Sequence, residues 1–506
     1  MGIFVIFGIF KYLLYSILGL LIYTELNQIY HMIRWYRKGV DVMYFPVIGF
    51  IFYQLCQKKN KDTSRWMKER VRSNDLKGKR AIAWNYPLFS RPALFVQDPE
   101  MINEILMKEM DICYRKEASS SVKLFDLGTF YDFSERATAI RGAFTEVFRA
   151  ENMSSMAPKI QRIVNEVLDS IEKNNENKKQ IESKGFMDVE LRPKISEIFM
   201  KILEEVLFGV DLDTLVEGKP LASKIIQIFQ DINKVFLSPW TLLTFGLGIY
   251  TRLDPRVKEI DRLMAKIKQK IMELYNLKKE DPDVKANNFL GGIIHYNRKH
   301  PEDGLNEREI TGNVLMMVFA AFDTSRHATG WAMRFLSIYQ NEQKALRTEA
   351  EKLGTFANEL DGEILEAGPE LNAWMKETMR LGAPFVSSNT REFFKDTKIK
   401  GIQFEKGDLL NMNLLYNHFK EKEFPDAYRF DRMRHYKAKY HRNNLMPFGG
   451  GKRGCIGRYL AIMNIKIIVL SFMRRFSVES DPGFEPQNWH IPFHTLEKVI
   501  VRLRKL

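Results

Sequence analysis

Near its carboxyl end the chain reads Pro447-Phe448-Gly449-Gly450-Gly451-Lys452-Arg453-Gly454-Cys455-Ile456-Gly457 and then becomes apolar-periodic from Tyr459 to Phe476. Glycines at this density break regular structure, and the periodic run behind them predicts a helix, so Cys455 is expected at a turn leading into a helix N-terminus. Backbone N–H groups at such a place favour negative charge, which a cysteine needs in order to act as a thiolate ligand. Gly451 and Gly457 would tolerate positive φ and let a flat ligand approach, Phe448 would shield the sulfur from water, and Arg453 would pair with a carboxylate. A phosphate-cradling loop needs a glycine where Met446 stands and Ser or Thr where Arg453 stands, which excludes that reading. Taken singly, a free cysteine is equally compatible with a small core residue.

The rest of the chain predicts a large, mainly helical body with small sheets, of the α+β kind. Helical periodicity runs from about Lys61 to Met379, and polar stretches at Lys173 to Lys184 and Lys278 to Asn288 read as surface loops. Extended pieces are expected near Ala93 to Val96, Thr397 to Phe404 and Lys498 to Arg504. No composition break divides the 506 residues, and no repeat is visible. A long helix is expected over Gly312 to Gln340, with an apolar face that includes Val314, Met317, Val318, Ala321 and Ala328. The apolar stretch Leu237 to Tyr250 reads either as a buried connector or as a loop dipping into lipid.

The run Gly2 to Tyr23 is long and apolar enough to cross a bilayer, with Lys11 as its one charge. Basic residues follow it at Arg34, Arg37 and Lys38 and none precedes it, so the positive-inside rule puts the downstream chain in the cytosol. The expected organisation is an anchor over residues 1–24, a basic linker with a proline hinge at Pro46 over 25–50, and one large domain over 51–506. Three widely spaced cysteines form no disulfide framework. The net charge of +14 is scattered and marks no nucleic-acid module; a basic face toward membrane lipid and an acidic redox protein fits better, while charge alone is equally compatible with a solvated lysine-rich surface.

The span Phe448, Gly451, Arg453, Cys455, Gly457 resembles the cytochrome P450 signature F-x-x-G-x-R-x-C-x-G at every fixed position. Further motifs follow in the family's order, the resemblance running from about Pro46 to the carboxyl end. Glu377 and Arg380 match its E-x-x-R, with Arg434 as the later arginine, although Arg432 and Met433 replace the usual proline and glutamate there. Ala320-Ala321-Phe322-Asp323-Thr324-Ser325 is similar to the oxygen-binding segment, with alanine for the commoner glycine at 321. Arg391 stands where a propionate-binding arginine is expected, and Arg141 where W-x-x-x-R falls, with Ala137 in the tryptophan position.

The resemblance implies the family's fold preceded by one transmembrane helix, and haem b ligated through Cys455 and held between the long helix and the cysteine loop. Ala320, Ala321, Arg141, Arg391, Phe448, Gly451, Arg453 and Gly457 would line the cofactor, and Asp323 and Thr324 would deliver protons, Thr324 by bonding back to the Ala320 carbonyl and loosening the helix. It further implies a monooxygenase acting on a small apolar substrate in the endoplasmic reticulum membrane. Electrons would come from NADPH-cytochrome P450 reductase docking near Lys452 and Arg458, with cytochrome b5 as an optional second donor. Two other readings stay open: an isomerase of the same fold that rearranges peroxides, and a haem-binding sensor without turnover.

Overall fold

The computed structural model of this chain describes residues 2–44, 65–84, 91–115, 134–209, 215–236, 254–357, 359–385, 388, 390–437, 440–480, 488–489, 495–496 and 498–506. Its helices form where apolar residues recur at helical spacing. Along Ala157–Lys173, Ile160, Val164, Val167, Leu168 and Ile171 are all buried. This helix packs on Arg458–Arg475, which itself lies against the long helix Glu307–Ile338; Leu191–Phe208 covers another side of that long helix. The principal apolar core is assembled around these elements.

The long helix starts five residues before the expected Gly312. Its first turn is charged, so periodicity misses it, but Asn306 and Glu309 close a capping box that fixes the start. The polar stretch expected as a loop from Lys173 to Lys184 is instead helical over Asn175–Lys184. Asn174 accepts from the Glu176 and Asn177 N–H groups, and Gly185 ends the helix at φ 74°. None of its residues is buried, so capping rather than a buried face defines it.

The expected extended pieces all lie in sheets. Among the described residues, a six-stranded sheet runs Asp41–Met43, Ala81–Trp84, Ala93–Val96, Leu409–Met412, Arg391–Phe393, Cys113–Arg115. Thr397–Ile399 and Ile402–Phe404 form a hairpin turning at Lys400 and Gly401, whose φ values are 45° and 84°. Ile500–Lys505 lies between Phe476–Ser480 and Met187–Glu190.

The amino-terminal helix runs unbroken from Gly2 to Arg37, so the expected change from anchor to linker after residue 24 falls inside one element. Its last turns belong to the body: Trp35 is fully buried against Phe404, at 5.5 Å between ring centres. Charged residues read as linker composition are in fact docking groups, with Arg34 bonded to Asp408 and Glu405. Among the described residues no helix is long and apolar enough to cross a membrane. Within the expected anchor the side chains of residues 2–10, 13, 14 and 17 lie outside the described set, as do Pro46 to Gly49 and Leu237 to Tyr250.

Candidate active site

The cysteine loop is folded back on itself by three backbone bonds. The Cys455 N–H donates to the Phe448 carbonyl at 2.9 Å, Gly449 N–H to Met446 at 3.0 Å, and Gly454 N–H to Gly451 at 3.1 Å. Gly449 and Gly451 both sit at φ 67°, where a side chain would be strained. A Cβ at Gly451 would also come within 3.1 Å of the Leu106 carbonyl, so glycine lets the loop lie on the helix Pro99–Ile112. Gly457, expected to share the positive φ, lies at −83° instead. It caps the helix Arg458–Arg475 and turns its N–H to the Cys455 sulfur.

Cys455 is exposed, yet protein atoms surround it deeply enough that burial pushes its thiol pKa up; the Gly457 N–H, Arg141 and Arg458 oppose that shift. A metal ion bound there would favour the thiolate, helped by those three groups. Arg141, on the helix Glu135–Val147, donates from Nη2 to the Gly454 carbonyl, bracing the residue before the cysteine. The Phe448 ring is half-buried, 5.8 Å from the Arg458 guanidinium, and Arg453 is buried.

The long helix is buried on nearly all sides from Ile310 to Met316 and again from His327 to Phe335. Between these stretches Met317, Ala320, Ala321 and Thr324 are only half-buried. Their spacing of three, one and three residues puts them on one helix face. Small side chains thus meet open space in the middle of the core. The Thr324 hydroxyl donates to the Ala320 carbonyl at 2.7 Å, as expected, but the helix stays continuous there without the expected loosening. Asp323 lies beside this face, paired with Arg326 Nη2 at 2.8 Å.

Arg391 is braced by protein groups on two of its nitrogens. Its Nε reaches Glu109 Oε1 at 2.6 Å and its Nη1 reaches Ser388 Oγ at 3.0 Å, Arg391 and Glu109 being buried and Ser388 half-buried. Glu109, on the helix that carries Leu106, carried no sequence signal, because its partner is 282 residues away.

Beneath the site, Glu377 is fully buried and binds Arg380 at 2.8 Å, Arg434 Nε at 3.1 Å, His435 Nε2 at 2.9 Å and the Asp431 N–H at 2.9 Å. Burial alone would raise its pKa, but these donors, Arg380 foremost, hold it at about 2. The carboxylate has more partners than the two arginines foreseen, and His435 is one that no spacing announced. Arg432, which departs from the family pattern, ties this segment to Glu342 at 2.7 Å and also binds Glu370. Fully buried His418 joins the cluster to the cysteine loop: Nδ1 donates to the Arg380 carbonyl at 2.8 Å and Nε2 accepts the Met446 N–H at 3.1 Å.

Comparison with known proteins places this arrangement. A family model described as Cytochrome P450 matches residues 55–499. Cytochrome P450 3A15 of Cavia porcellus is 27% identical over 410 residues, covering 76% of this chain and 77% of that protein. Cytochrome P450 CYP72A616 of Paris polyphylla is 22% identical, covering 80% and 78%. Among solved structures, a retinoic acid-bound cyanobacterial CYP120A1 superposes with TM-score 0.70 at 18% identity, covering 86% of this chain and 93% of that one, a likeness of fold.

Proposed function

The chain belongs to the cytochrome P450 family of haem-thiolate monooxygenases, and on that premise we propose that it inserts one oxygen atom from dioxygen into a small apolar substrate, with electrons from NADPH delivered by NADPH-cytochrome P450 reductase. The observation that carries this reading is Cys455, exposed at a glycine-turned helix entry with the Gly457 N–H turned to its sulfur and the Arg141 charge close by on the Gly454 carbonyl. The family's cofactor is haem with thiolate-ligated iron.

The residues fit that group. Cys455 would ligate the metal, Phe448, Gly451 and Gly457 would help hold the group, and Arg453, Arg141 and Arg391 would supply guanidinium charge for its carboxylates. The half-buried face with Ala320, Ala321 and Thr324 offers small side chains on the substrate side. When bound, the haem supplies oxygen activation. The protein's part is the proton. Because the Thr324 hydroxyl gives its own hydrogen to the Ala320 carbonyl, its oxygen remains an acceptor that orders a proton donor. Asp323 supplies protons to that point, and its bond to Arg326 holds it beside the path.

The apolar substrate class is supported by Phe319, stacked on Phe229 at 4.2 Å, and by Met317 nearby on the same helix. The apolar run Gly2 to Tyr23 and the basic residues behind it support a single-pass anchor in the endoplasmic reticulum membrane with the body in the cytosol. Exposed Lys452 and Arg458 beside the cysteine loop suit an acidic redox partner, the reductase or cytochrome b5.

The test is reconstitution with purified reductase, following NADPH, product and peroxide after compounds have been screened for a shift of the haem Soret band. Substrate-dependent NADPH use with oxygenated product is expected. Haem-loaded protein that the reductase reduces once, but that sustains no NADPH consumption and forms no product with any ligand, would contradict the proposal and favour a sensor.

A further inference from the structure

The amino-terminal helix has two faces beyond residue 23. Thr24, Gln28, His31, Met32 and Trp35 are buried on the body. Leu26, Ile29, Tyr30, Ile33 and Tyr36 recur at helical spacing on the opposite side, with Tyr30, Ile33 and Tyr36 at 63%, 47% and 69% exposure. This outward stripe is collinear with the apolar run of Gly2 to Tyr23, because the first proline of the chain is Pro46 and the helix is unbroken to Arg37. Its inner face is pinned by Trp35 on Phe404, by Arg34 on Asp408 and by Lys38 Nζ on the Gln403 carbonyl at 2.5 Å. The helix is a strut fixed to the body.

We propose that the stripe Leu26, Ile29, Tyr30, Ile33 and Tyr36 is a lipid-contact surface, so that the helix leaves the bilayer strongly tilted and holds the body against the anionic headgroups of one leaflet. The proposal rests on the anchor reading above. Length supports it: 36 residues at ~1.5 Å each give a rod of ~54 Å against a hydrocarbon core of ~30 Å, so an upright helix would carry the stripe out into water. Composition supports lipid over a protein partner, since tyrosines mixed with Ile and Leu are what a membrane interface collects. Charge complements it, because Arg37 follows the stripe and a basic groove lined by Lys38, Arg80 and Lys400 adjoins the helix end. The body's orientation to the bilayer is then set by the Trp35 and Arg34 contacts, with no hinge between span and body.

The test uses the full-length, haem-loaded chain in vesicles of phosphatidylcholine and phosphatidylserine, with Cys56→Ser as background. Single cysteines are introduced by Leu18→Cys in the anchor, Ile33→Cys in the stripe and Leu277→Cys on the exposed side of a distant helix, and reaction with a membrane-impermeant maleimide is timed. Leu18→Cys and Ile33→Cys should both react at least about tenfold more slowly than Leu277→Cys, since a thiolate is disfavoured outside water. A bimane on Ile33→Cys should be quenched by nitroxide-labelled lipid. Protection at Leu18 with full reactivity at Ile33 would overturn this proposal and leave the anchor standing, whereas full reactivity at both would overturn the anchor reading itself. Protection at Ile33 without quenching would mean that protein covers the stripe, which also refutes lipid contact.

Discussion

Arg141 and Gly454 are joined by a hydrogen bond from guanidinium to carbonyl, which ties the helix Glu135–Val147 to the residue immediately before the cysteine. A charged donor to a carbonyl contributes about 1.5–3 kcal/mol, and here, half-buried, that energy restrains the loop rather than the whole domain. Arg141→Ala is therefore expected to lower haem content and speed haem loss while the remaining haem keeps its thiolate spectrum. Arg141→Lys, which preserves charge but not the planar fork, should fall between. Haem transfer to apomyoglobin measures the rate; an unchanged rate in Arg141→Ala would mean that the bond does not hold the loop.

His418 makes stability depend on pH. Burial lowers its pKa to about 3, with both ring nitrogens engaged by the Arg380 carbonyl and the Met446 N–H. The folded protein keeps this imidazole neutral, whereas the unfolded chain takes up a proton below about 6.5, so its contribution is complete above that pH and is lost as pH falls toward 3. The slope approaches about 1.4 kcal/mol per pH unit. His327, likewise lowered to about 3 chiefly by burial, adds to it. Urea unfolding at pH 7.5 and 5.5 should show the loss, and His418→Gln should reduce the difference. An equal difference in the variant would place the slope elsewhere.

Glu377 behaves in the same direction at lower pH. Its carboxyl, held at about 2, stabilises the fold above the ordinary carboxylate range and ceases to do so as pH falls through that range toward 2. Glu377→Gln leaves Arg380 and Arg434 buried beside a neutral group, which costs about 3–5 kcal/mol when one partner of a buried pair is removed. Little folded, haem-containing protein is expected. His435→Gln, which removes one donor only, should fold with a reduced melting temperature, and a melting temperature equal to wild type would show that His435 adds nothing to the cluster.

The parts of this site that were legible in the sequence are those whose meaning lies in local spacing. Phe448 to Gly457 and Glu377 with Arg380 read directly because a turn and one helical repeat bring their members together. The Thr324 to Ala320 bond followed from four residues of helix. Glu109, His418 and His435 were not legible, because they act through partners far along the chain or across a loop. The docked turn around Trp35 was misread for a different reason. Its inward face carries Thr24, Gln28 and His31, so the usual contrast between apolar inside and polar outside is blurred, and its basic residues resemble a linker until their acidic partners near Asp408 are known.

Thr324 and Asp323 are expected to govern coupling and not cofactor binding. Thr324→Ala removes the hydroxyl bonded to Ala320, so a proton donor is no longer ordered there and hydrogen peroxide should rise at the expense of product. Positioned acid-base groups typically contribute about 100-fold or more to a proton-dependent step. Asp323→Asn should slow turnover, and Arg326→Gln, which frees Asp323 from the ion pair that holds it, should slow turnover as well without changing haem content. Product, peroxide and NADPH measured together decide it; unchanged coupling and turnover in both Thr324→Ala and Asp323→Asn would reduce this segment to small-residue core.

Ligation through Cys455 is the claim on which the rest depends, and the carbon monoxide difference spectrum of the ferrous protein tests it. Wild type should give the far-red-shifted Soret band of thiolate-ligated haem, and Cys455→Ala should lose that band, with circular dichroism confirming that the variant is folded. Arg141→Ala, which alters the loop but keeps the sulfur, should retain the band at reduced amplitude. A folded Cys455→Ala protein that still shows the red-shifted band would contradict the assignment.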